Sequence, residues 1–169
     1  MRSRAWYRRL LLGGAAGLLL GAPAAAQSRP AYRPVDFDLL GGYDPKLPDA
    51  LTPGPRPTTV PIPASVRALD NMRVAVRGYV LPLDLDDRGT TRFLLNATYD
   101  MCVFVVPARL NDWIEVRMPE GKSLRLTHDP VVAMGALSVG ERLENGRVVS
   151  LYRMQADVAA PVPPGMRLP

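Results

Sequence analysis

The chain has 169 residues, the size of one domain. Its formal charge is +5, from 21 Lys and Arg against 16 Asp and Glu, but Arg2, Arg4, Arg8 and Arg9 all precede the first acid, Asp36. Taking those four from 21 leaves 17 bases against 16 acids, near +1, which removes the case for a nucleic-acid surface; one Cys excludes an internal disulfide or multi-Cys metal site, and one His excludes a His-rich one.

Residues 1–26 read as a cleaved signal peptide: basic residues, the apolar run Leu10 to Leu20, then Ala24-Ala25-Ala26 before Gln27. The run is short and interrupted by Gly13, Gly14, Gly17, Gly21 and Pro23, so no stable membrane span is expected after cleavage. Arg8-Arg9 leaves both ordinary secretion and twin-arginine export open, and a bacterial periplasm is the expected destination.

Residues 27–64 follow as a Pro-rich extended arm, with seven prolines between Pro45 and Pro63. Proline fixes φ and donates no hydrogen bond, so such a stretch favours extended or irregular chain. Within it, Val35 to Leu40 forms a short apolar patch whose docking the sequence leaves open. Between Ala64 and Ala160 only Pro82, Pro107, Pro119 and Pro130 occur, which places the folded domain at 65–159 and a Pro-rich tail at 160–169.

Inside the domain the apolar period is two. Arg73 to Val80 puts Val74, Val76 and Val80 on one face; Asp112 to Met118 opposes Ile114, Val116 and Met118 to Trp113, Glu115 and Arg117. Arg147 to Val158 puts Val148, Tyr152, Met154, Ala156 and Val158 opposite Arg153, Gln155 and Asp157. These patterns predict half-buried strands, and the more apolar Thr91 to Leu95 and Val131 to Val139 predict central ones. Asp86-Asp87-Arg88-Gly89, Pro119-Glu120-Gly121 and Asn145-Gly146 supply the turns, and no amphipathic helix is predicted after the leader. The expected fold is all-β: a small OB-like Greek-key barrel of five or six strands with Pro-rich extended flanks, a β-sandwich being the alternative.

No nucleophile elbow, phosphate loop, dinucleotide fingerprint or zinc-protease motif occurs, so the expectation is a protein that is not an enzyme and needs no cofactor. Cys102 sits in an apolar stretch without an adjacent base and reads as a structural thiol. His128 reads as a loop residue with Asp129 capping the turn. A soft-metal site built from Cys102, His128 and Met101 requires those side chains to converge in space. Asp84, Asp86 and Asp87 read as a solvated hairpin tip rather than a calcium loop. Tyr79, Phe93, Trp113 and Tyr152 would be stacking rings on a nucleic-acid barrel, but balanced charge surrounds them. Trp113, with Asn111 beside it, is instead a candidate protein-contact residue.

Together, Val74-x-Val76-x-Gly78-Tyr79-x-Leu81-Pro82-Leu83, Phe93-Leu94-Leu95, Cys102, Asn111-Asp112-Trp113 and Gly146-x-x-x-Ser150-Leu151-Tyr152-Arg153-Met154 resemble a bacterial exported family, domain of unknown function three-two-nine-nine. Ile62-Pro63-x-x-Val66-x-x-Leu69-Asp70 fits its upstream segment. The resemblance spans about Val35 to Val158. It implies an exported OB-like barrel, in some members encoded beside ABC-type transport systems, and carries over only Cys102 as a site residue; Val103 and Phe104 stand where relatives often place a second Cys or a His. The expected function is a non-catalytic periplasmic module that binds an envelope protein, such as an ABC-type transport component. The alternative is a small metal or redox carrier using Cys102 and nearby Met and His.

Overall fold

A computed structural model describes residues 31–47, 59–99 and 109–162. The elements run β1 (Arg33–Val35), α1 (Phe37–Gly41), α2 (Ala64–Arg67), β2 (Arg73–Pro82), β3 (Arg92–Asn96), β4 (Trp113–Arg117), β5 (Val131–Glu144) and β6 (Arg147–Pro161). The sheet order is β1-β2-β3-β4-β6-β5, and β2 also pairs with β5, which closes β2-β3-β4-β6-β5 into a ring. Every pairing within that ring is antiparallel except β4–β6, which is parallel. The protein is therefore a small all-β barrel. The five predicted strands all form, and β5 and β6 extend beyond their predicted ends because each gains a long partner in the other.

The inner wall is built from the alternating apolar positions. Val74, Val76, Phe93, Leu95, Ile114, Val116, Tyr152 and Met154 are buried together, as period-two geometry requires of one sheet face. Two of the side chains assigned to a face from the sequence do not match that expectation. Trp113 was expected on the polar face but is only 9 % exposed. Val158 was expected inside but is 39 % exposed. The second departure has a clear cause: Met134 pairs with Val158 and Gly135 with Ala156, so Asp157 is an extra residue in β6. A bulge of one residue inverts the alternation beyond it, turning Val158 outward while Ala159 packs against the core. Gly135 permits the bulge, since a Cβ there would lie 2.1 Å from the Gln155 carbonyl oxygen.

The N-terminal stretch expected as an extended arm contributes directly to the core. Val35, Leu40, Val60 and Ile62 are all buried in it. β1 adds in parallel to the N-terminal half of β2, pairing Arg33 to Val35 with Val74 to Val76. Asp36 caps α1 by accepting the Leu39 N–H at 2.9 Å. Against the expectation of no helix after the leader, α1 and α2 are both present but only five and four residues long. The stripe Ile62, Val66 and Leu69 at helical spacing was the legible sign of α2, and all three are buried. Beyond α2 the chain is pinned to β5: Asn71 N–H donates to Leu137 O, Leu137 N–H to Met72 O, and Val139 N–H to the Asp70 carboxylate.

Candidate functional site

The two ends of the β3–β4 pair are built differently. At the Asn96–Trp113 end, α1 and its following loop cover the barrel. The fully buried Asn111 donates to Tyr43 O at 2.7 Å and Gly41 O at 3.4 Å. The buried Tyr152 hydroxyl donates to Leu40 O at 2.8 Å, which leaves the Tyr43 hydroxyl as donor in the 2.9 Å Tyr43–Tyr152 contact. Burial raises the pKa of both phenols above the ordinary tyrosine range. Asn111 and Trp113, expected as contact residues, are both buried here, and Asn111 serves to hold the N-terminal segment.

At the Arg92–Arg117 end, the connections face solvent. The β2–β3 connection is held by Asp84, whose carboxylate accepts from Thr90 Oγ1, Thr91 N, Thr91 Oγ1 and Arg92 N at 2.6–2.9 Å. These bonds, that from the Thr91 hydroxyl foremost, hold its pKa far below the carboxylate range. Asp86 turns the tip by accepting from the Arg88 and Gly89 amides. Of the three aspartates, Asp84 is therefore a structural clamp and not part of a solvated tip.

Among the described residues, three depressions run around this hairpin. The first, of about 410 Å³, is lined by Tyr79, Leu81, Pro82, Tyr99, Leu126 and His128 among others. Tyr79 meets Tyr99 edge-to-face at 5.7 Å, and Tyr99 meets His128 at 6.1 Å with the Tyr99 hydroxyl 3.2 Å from His128 Nδ1. Leu126 also lines a shallow second groove with Leu85 and Arg88. Along this path Leu85 is 59 % exposed, Leu126 46 % and Tyr99 38 %. Arg88 then leads into a third groove, of about 480 Å³, lined by Arg92, Arg117, Glu120 and Lys122.

Of the predicted soft-metal trio, His128 lies in the aromatic cleft, while Met101 and Cys102 lie outside the described residues, as do residues 1–26, expected as a signal peptide, and the tail from 163 onward. Among the described residues no group of three or more His, Cys, Asp and Glu is placed to hold a metal ion. Of the rings named as stacking candidates, Phe93, Trp113 and Tyr152 are buried; only Tyr79 reaches a cleft. Tyr99 was not foreseen, because its partner His128 is distant in sequence and its signal lies only in the folded contact.

A family profile described as "Protein of unknown function (DUF3299)" matches residues 57–161. The crystal structure of a DUF3299 family protein from Pseudomonas aeruginosa PAO1, at 2.45 Å resolution, superposes with a TM-score of 0.57 at 24 % identity, covering 79 % of this chain and 97 % of that one. That likeness supports the fold alone. Among curated proteins, none matches. No helix among the described residues is long and apolar enough to cross a membrane.

Proposed function

The chain belongs to the DUF3299 family, and from that premise we propose that it is an exported periplasmic module that works by binding, not by catalysis, with an envelope protein as its partner. The observation that carries this reading is the apolar path Tyr99–Leu126–Leu85 around the β2–β3 hairpin. Contiguous exposed apolar and aromatic side chains with a polar rim characterise protein-contact surfaces. Export rests on the leader sequence of residues 1–26, and a transport component as partner rests on the family resemblance.

The strand order supports an OB-like reading of the barrel. A five-stranded ring in which the third and fifth strands run parallel, here β4 and β6, matches that architecture. OB barrels bind through the face of their second and third strands and the loop between their first and second. In this chain those are β3, β4 and the hairpin bearing Leu83 and Leu85.

The test is site-specific photocrosslinking in the native envelope. A probe at position 85 or 126 is expected to form one discrete adduct with an envelope protein, and a probe at the exposed Lys46 is expected to form none. Leu126→Asp is expected to remove the adduct at 85. Absence of any adduct from either position overturns the reading.

A further inference from the structure

The groove on the other side of Arg88 carries a second, chemically distinct feature. Phe93 and Val116 face the core, so their neighbours Arg92 and Arg117 face outward. Those two arginines are direct cross-strand partners, and Gln155 is the next residue in the same row. Directly opposed residues on antiparallel strands have Cβ atoms about 5 Å apart, where like charges repel.

The repulsion is poorly compensated within the chain. Glu115 lies 3.6 Å from Arg92, but its other oxygen is already engaged by Arg142 at 2.7 Å. The Arg92 Nε is buried and meets no acceptor among the described residues. Arg117 and Lys122, both exposed, have no ion pair among the described residues. Both line the groove, and Glu120 is its only carboxylate among the described residues.

We infer that this groove is a binding site for a phosphate group, seated between Arg92, Arg117 and Lys122. A guanidinium presents parallel N–H donors that match an edge of two oxygens. One carboxylate offers a single such edge, enough for one arginine. A phosphate offers several edges and up to two negative charges, enough for two guanidiniums and an ammonium together. Exposure of the site makes the interaction dependent on ionic strength. This inference is independent of the apolar path and of the protein partner proposed for it.

The experiment is calorimetric titration of the exported chain with inorganic phosphate in low salt, with chloride at matched ionic strength as reference. Cosedimentation with phosphatidylglycerol and with phosphatidylcholine vesicles runs in parallel. Arg117→Gln is expected to weaken binding about tenfold. Glu120→Gln is expected to tighten it about twofold, a gain that a misfolded variant does not produce. Saturable phosphate binding with these responses supports the site and names a soluble phosphate as ligand. Arg117-dependent binding to phosphatidylglycerol vesicles alone supports it and names a lipid headgroup. Binding to neither, or binding indifferent to both substitutions, overturns it.

Discussion

The two ends of the β3–β4 pair spend their polar groups in opposite ways. At the Asn96–Trp113 end, Asn111 and Tyr152 are turned inward, and their hydrogen bonds hold the segment bearing Leu40, Gly41 and Tyr43, 68 to 112 residues away in sequence. At the Arg92–Arg117 end, the backbone is clamped from within by Asp84 while the cationic side chains point to solvent. The first arrangement trades surface for stability. The second keeps a rigid frame and leaves its charges available, which is what a binding surface requires. Substitutions at the two ends should therefore separate stability from binding.

The largest effect is expected from Leu40→Ala. Leu40 is fully buried where α1 meets the barrel, and truncation leaves a cavity worth about 3 kcal/mol, read as a lower urea midpoint at unchanged slope. Asn111→Ala should come next, at about 2 kcal/mol, because it leaves the Gly41 and Tyr43 carbonyls without their donor. Equal stability of this variant and the native chain would show that the N-terminal segment contributes little to holding the barrel closed.

Asp84→Asn tests the opposite end, at about 1 kcal/mol near neutral pH. The folded pKa of Asp84 is depressed below its unfolded value. Its contribution is thus fully present above the unfolded pKa, about 4, and fades as pH falls below that toward the folded value. The gap between native and variant stability should narrow in acid denaturation below about pH 4. A gap that stays constant there would assign Asp84 no charge-dependent role. The smallest effect is expected from Arg117→Gln, with a stability change within about 0.5 kcal/mol, since its side chain is exposed. A large loss of stability there would make Arg117 a structural residue and dissolve the contrast between the ends.

The strands were legible because half-buried β structure writes its burial locally, as in Val74/Val76 and Ile114/Val116. The bulge at Asp157 was not, since an inserted residue is visible only against the register of a partner strand, and Val158 was misplaced for that reason. α1 was too short to show a helical period, although Asp36 before Phe37-Asp38-Leu39-Leu40 held its capping signal. Counting prolines assigned residues 27–64 to an arm, yet proline restricts only its own φ and its neighbour. It does not prevent Val60 and Ile62, which flank Pro61, from packing into the core.

The candidate surfaces follow the same logic. The near-balance of charge once the four leading arginines are set aside argued against a nucleic-acid surface, and as a sum over the chain it was sound. A sum cannot show that Arg92 and Arg117, twenty-five positions apart, become direct neighbours across β3 and β4. By itself, the sequence determined the class of fold, the strands, the turn at Asn145-Gly146, where both residues have positive φ, and the resemblance to its family, because each depends on residues close together along the chain. Only the tertiary structure decided that Asn111 and Trp113 are buried, that Tyr99 meets His128, and that cations line one groove. Those outcomes depend on strand register and on which segments cover the ends of the barrel, and both are set by the free energy of the whole chain packed at once.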